Sequence, residues 1–192
     1  MTHLVNVERE MAYERFQEAL KADPDFTAAQ VCMGVLSFGE TKKMWAERAK
    51  KSSANRSAGE KLFVTLLEAK DGAQRHEVWK KLMAAYPQEP FVEFSMFSSE
   101  PDSTKALAGL LAYTKKYPAR AEAYNILGYL YLNKKDQAAA KSYFEKYIQA
   151  YPDGYNPYDS MGEFYYLTGD MENSKKYYTK ALEKYPFCVS SL

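Results

Sequence analysis

The sequence predicts an all-α solenoid of stacked helical hairpins. Two observations carry this: Tyr-Pro dipeptides recurring at a fixed interval, and apolar residues at three-and-four spacing between them. Tyr-Pro stands at Tyr86-Pro87, Tyr117-Pro118, Tyr151-Pro152 and Tyr185-Pro186, and the last three prolines are 34 residues apart. A constant period of this size marks an array in which each unit covers the apolar face of its neighbour. The step from Pro87 to Pro118 is shorter, at 31 residues.

The two clearest units are 121–154 and 155–188. Aligned on Pro152 and Pro186, Tyr124 matches Tyr158, Leu127 matches Met161, and Gly128 matches Gly162. Tyr131 matches Tyr165, Ala140 matches Ser174, and Phe144 matches Tyr178; Ala181 belongs to the same apolar set. Tyr124, Leu127 and Tyr131, then Ala140, Phe144 and Ile148, follow helical periodicity. A glycine inside a helix costs about 1 kcal/mol relative to alanine. Its recurrence at Gly128 and Gly162 therefore implies a compensating close approach of the partner helix. Asn133 to Asp136, and Gly169-Asp170, supply the turns within each hairpin. Each proline stops the second helix.

Upstream units are degenerate: 27–56, 57–88 and 89–120. A lone helix of the second type spans 8–25. Residues 103–118 and 73–87 read as second helices, with 89–98 and 59–70 as their first helices. Residues 11–26 match the second-helix pattern through Ala12, Phe16, Ala19 and Pro24. Residues 27–38 follow as a first helix, with Gly34 in the place of Gly128. The count is about eleven helices in a single repeat domain, 1–192.

The period and the order of aromatic, Leu-Gly, Tyr, Ala, Phe and Pro resemble the tetratricopeptide repeat. The stretches 156–170 and 57–62 are similar to a group of bacterial tetratricopeptide proteins, a likeness that brings no assigned activity or catalytic residue. The resemblance implies a right-handed superhelix whose first helices line a concave groove. It places Glu122, Asn125, Tyr129, Leu132 and Asn133 in that groove, then Asn156, Asp159, Glu163, Tyr166 and Leu167. In the unit from Thr27 the same positions are Ala28, Val31, Val35, Phe38 and Gly39. Such amides and tyrosines can bond a peptide backbone while apolar walls take side chains. The alternative is that they form a solvated inner face or pack between helices. The carboxylate clamp of the chaperone-binding members is not reproduced, because Tyr129, Asp159 and Glu163 stand at its positions; an acidic inner face favours a basic or neutral ligand.

Charge and composition narrow the function. Lysine plus arginine total 26 against 25 acids, a net charge of +1. That balance calls for neither nucleic acid nor a membrane surface. The basic stretch 41–57 (Lys42, Lys43, Arg48, Lys50, Lys51, Arg56) reads as a solvated helix face next to a loop, the alternative being a site for an acidic partner; too few aromatics interleave for a nucleic-acid groove. No run approaches the roughly 20 apolar residues of a membrane span. The chain is expected in the cytoplasm, or in the periplasm if a leader was removed before Met1. Cys32 and Cys188 form no metal-spaced set and read as two buried thiols. His3 is placed at a frayed terminus and His76 on an exposed helix face, so no metal is expected. No nucleophile, phosphate-loop or zinc motif occurs, and no cofactor is expected.

The helix at 8–22 has no first helix before it, so Phe16 and Leu20 should face a partner the chain does not supply. At the other end only six residues follow Pro186. Solenoids need polar caps. Truncation, tolerated exposed ends, and mating with another copy as a homo-oligomer all fit. The expected function is a non-catalytic scaffold binding a protein or peptide partner on the concave face. The alternatives are a structural protein that self-associates through its ends and a regulatory subunit of a larger complex.

Overall fold

The computed structural model describes residues 1–188, and among these every regular element is helical. In chain order the helices are α1 (Thr2–Val5), α2 (Arg9–Ala22), α3 (Thr27–Leu36), α4 (Gly39–Ser52), α5 (Ala58–Val64) and α6 (Gly72–Ala85). They continue as α7 (Pro90–Ser98), α8 (Ser103–Lys116), α9 (Glu122–Asn133), α10 (Gln137–Ala150), α11 (Asn156–Thr168) and α12 (Met171–Lys184). The fold class is therefore the all-α helical-hairpin solenoid that the periodicity predicts. The chain forms two compact units: residues 1–8 with residues 103 onward, and Arg9–Asp102.

In the unit Arg9–Asp102, α2 packs on α3, α3 on α4 and α5, α5 on α6, and α6 on α7. Val31, Ala49, Val64 and Leu67 form a buried cluster, with Ala46 and Phe63 against it. Phe63, Trp79 and Phe91 add a ring of edge and tilted contacts, with centroids 5.5 to 6.3 Å apart.

Three expectations are corrected here. The apolar side of α2 does not lack a partner: Ala12, Phe16 and Leu20 are buried, and α3 packs on this helix. The helix expected over 59–70 stops at Val64 and tightens into a 3₁₀ turn, Thr65–Leu67. Thr65 ends it locally, its hydroxyl donating to the Leu62 carbonyl at 2.7 Å; β-branched residues already lose rotamer freedom in a helix. His76 is buried, not exposed. Its Nδ1 lies 3.1 Å from Ser99 Oγ and its Nε2 lies 3.3 Å from Glu100 Oε2. Those partners arrive from the end of α7, so α6 alone could not reveal the burial.

The other unit holds the regular repeats, and its contacts themselves repeat. A Cβ on Gly128 would meet the Phe144 ring at 2.5 Å, and one on Gly162 would meet the Tyr178 ring at 2.8 Å. The expected close approach is thus an aromatic side chain of the second helix lying on the bare backbone of the first. Tyr124 donates to the Pro118 carbonyl at 2.9 Å, and Tyr158 donates to that of Pro152 at 3.1 Å. Asp136 caps α10 at the Ala139 amide, and Asp170 caps α12 at the Asn173 amide. Such caps contribute about 1 kcal/mol each. Tyr131 stacks on Tyr143 at 5.3 Å, and Tyr165 stacks on Tyr177 at 5.5 Å. Lys146 then lies over Tyr143 at 4.8 Å, and Lys180 over Tyr177 at 5.3 Å. The core between these layers is Ala140, Phe144, Met161 and Phe164, with Leu127 and Ala181 fully buried.

Cys32 and Cys188 are both buried thiols, as expected, and no disulfide joins them. Burial pushes the Cys32 thiol up to about 12. No helix among the described residues is long and apolar enough to cross a membrane.

Candidate functional site

The chemistry that stands apart lies where α10 ends and α11 begins. A helix start exposes amides without intrahelical partners, together with the positive end of the helix dipole. At α11 these amides are buried rather than solvated. The Tyr155 amide donates to Glu8 Oε1 at 2.8 Å, and the Asn156 amide donates to the same oxygen at 3.4 Å. The second oxygen of Glu8 accepts from the Tyr151 hydroxyl at 2.7 Å and lies 2.6 Å from His3 Nδ1. Glu8 has no solvent exposure. A fully buried carboxylate is tolerable only with such a set of donors.

Two residues earlier the main chain is held as well. The Tyr147 hydroxyl donates to the Asn6 carbonyl at 3.2 Å while accepting from Asn156 Nδ2 at 3.1 Å. Residues 1–8 are therefore seated as a short polypeptide on α10 and α11. His3 belongs to this seat and not to a frayed terminus; its ring also lies 3.1 Å from the Tyr151 hydroxyl. Burial, and then the neighbouring Glu8, raise the Tyr151 hydroxyl above its ordinary range; burial does the same to Tyr147. Both stay protonated donors at neutral pH. Gly154 completes the seat, since a Cβ there would meet the Tyr151 ring and come within 2.6 Å of Glu8 Oε1.

Glu122, Asn125, Asn156 and Asp159 are buried. Glu122 accepts from the Tyr113 hydroxyl at 2.7 Å and pairs with Arg120 at 3.2 Å. Tyr129 reaches across one repeat to donate to Glu163 at 2.5 Å. Asn125 Oδ1 is buried without a hydrogen-bond partner among the described residues. Leu132 is half-buried and Asn133 exposed, while Tyr166 and Leu167 are more than half exposed. In the earlier unit Val31 belongs to the core, whereas Val35 and Phe38 are exposed. Among these positions Asn156 hydrogen-bonds the seated segment.

Sequence reasoning missed Glu8, Asn6, Tyr147 and Tyr151. Tyr147 carries a signal, since Tyr113 stands one period earlier; Glu8 carries none. Among the described residues no group of three or more His, Cys, Asp or Glu could hold a metal ion.

The profile of the tetratricopeptide repeat matches residues 121–153 and 155–186. No curated protein matches the sequence. Solved structures do resemble the chain. One is a thermophilic tetratricopeptide protein of Thermus thermophilus, at 20% identity and a TM-score of 0.64, over 79% of this chain and 86% of that one. Another is PilW, described as a type IV pilus biogenesis factor, at 14% identity and 0.58, over 100% and 98%. A third is MamA from Desulfovibrio magneticus, at 16% identity and 0.56, over 94% and 97%. At these identities the likeness is one of fold.

Proposed function

We propose that the chain, whose residues 121–153 and 155–186 match the tetratricopeptide repeat, is a non-catalytic protein–protein interaction scaffold whose partner segment binds on the inner face of α9 and α11. Proteins of this repeat family are generally scaffolds without catalytic activity. The observation that carries the reading is the seat described above. Tyr147 and the start of α11 already hold a stretch of polypeptide by main-chain and carboxylate hydrogen bonds. That is the chemistry of peptide capture, in which backbone groups give affinity and side-chain contacts give selectivity. Asn125, with a buried acceptor left open, and Tyr129, bonded to Glu163, lie on α9.

The test is a peptide array and a pull-down with the wild-type chain and with Asn125→Ala combined with Tyr129→Ala. The wild type is expected to retain partners that the double variant loses. Identical binding profiles for the two chains would remove this reading.

A further inference from the structure

We propose that the seat formed by the end of α10 and the start of α11 is a receptor for a glutamate-bearing segment of a partner protein, which enters by displacing residues 1–8. This deepens the scaffold reading and rests on it. The seat reads two features of its occupant. One is a main-chain carbonyl, taken by the Tyr147 hydroxyl. The other is a carboxylate two residues later, taken by the Tyr155 and Asn156 amides and the Tyr151 hydroxyl. Aspartate is one methylene shorter, so glutamate is the side chain whose reach the seat matches.

The present occupant fits imperfectly. Asn6 is 1% exposed, and its Oδ1 is buried without a hydrogen-bond partner among the described residues. Its Nδ2 meets only the Thr2 carbonyl of the same segment, at 3.0 Å. A buried acceptor left unmade weakens the segment that carries it. A ligand with an apolar side chain of similar size at that position makes every other contact and escapes the penalty.

The same asymmetry decides between a partner protein and a second copy of this chain. A second copy offers an identical segment with an identical defect. The tethered segment also competes at an effective concentration of about millimolar. Only a better-fitting segment displaces it.

The experiment uses full-length wild type and full-length Glu8→Gln, with C-terminally amidated peptides of residues 1–9. Three peptides are titrated by calorimetry: the native sequence, Asn6→Leu, and Asn6→Leu with Glu8→Gln. The Glu8→Gln chain, its own segment loosened, is expected to bind the Asn6→Leu peptide about tenfold more tightly than wild type does, because more of its seat is open. The Asn6→Leu peptide is expected to bind about tenfold more tightly than the native peptide. Removing its glutamate is expected to cost about tenfold or more. In wild type, saturating Asn6→Leu peptide should speed amide exchange at residues 4–8 while α9 to α12 stay protected. That measurement does not depend on the folding of any variant. Absence of binding, equal affinity with and without the glutamate, equal affinity of the two chains, a native peptide as tight as Asn6→Leu, or unchanged exchange at residues 4–8 each overturns the proposal. A pull-down difference at Asn125 and Tyr129 that survives such a result leaves the scaffold reading standing, so the two failures are distinct.

Discussion

The starts of α9 and α11 occupy equivalent places in successive repeats, yet they satisfy the same buried tyrosine in different ways. At α9 the repeat is self-sufficient: Tyr113 donates to Glu122, a carboxylate in the first turn of the helix it faces. At α11 the matching pair is Tyr147 and Asn156, and the polarity reverses. Asn156 donates to Tyr147, whose own proton is left for an outside acceptor. The acceptor missing from position 156 is supplied by the Asn6 carbonyl, 141 residues from Tyr147 in sequence, and Glu8 beside it takes the Tyr155 and Asn156 amides. One substitution, Glu to Asn at equivalent places, turns a closed contact into an open one. A repeat array can thus open a hydrogen-bonding position to a distant segment of the chain by removing an internal partner.

The largest expected effect sets the two tyrosines against base. Burial is the first cause raising both hydroxyls, followed by Glu122 for Tyr113. A hydroxyl whose value is higher in the folded chain than in the unfolded one contributes stability fully below the unfolded value. That contribution drains as pH rises beyond it. Stability to urea should therefore fall in two stages, first above about pH 9, where the Cys32 thiol ionises in the unfolded chain alone, and more steeply above about pH 10, where the unfolded tyrosines join it. Tyr147, with no solvent exposure, contributes up to about 1.4 kcal/mol per pH unit in that range. In Tyr147→Phe the alkaline slope should be shallower than in wild type. An unchanged slope would mean that the hydroxyl is not held neutral by the fold.

Next in size is the conversion of one design into the other. Asn156→Glu copies Glu122 and places a second carboxylate beside Glu8. The expected outcome is a hydroxyl of Tyr147 turned inward and residues 1–8 released, at a cost of about 1–3 kcal/mol. Proteolysis near Arg9 and amide exchange at residues 4–8 read the release. If residues 1–8 stay protected in that variant, the equivalence of positions 122 and 156 is wrong.

The smallest effect concerns the turns that precede α10 and α12. Lys135 and Gly169 occupy matching places and both have positive φ, +62° and +87°. Only glycine adopts this conformation without steric cost, and other residues lose about 1 kcal/mol. Lys135→Gly is expected to stabilise the chain by somewhat less than Gly169→Ala destabilises it, as read by chemical denaturation.

Much of this was legible in the sequence where the information is local or periodic. Gly128 and Gly162 announced a close approach because glycine is costly in a helix without a reason, and Phe144 and Tyr178 lie on them. The capping box of α5, with Ser57 and Glu60 bonded reciprocally, is local in the same way and follows from the S-x-x-E spacing. The repeat pattern singled out Glu122 and Asn156 as equivalent positions. It did not show that one is closed internally and the other is not, because that depends on which atom of each pair donates. The burial of His76 escaped because Ser99 and Glu100 come from the end of another helix.

The 34-residue period, the apolar stripes and the stop at each proline were enough to determine the helical hairpins from the residues alone, since each is set by neighbours within about one turn or one unit of the chain. The tertiary structure alone decided that Glu8 would be the carboxylate at α11. No periodicity links position 8 to position 156, and a buried charge takes its place only where folding has gathered enough donors around it.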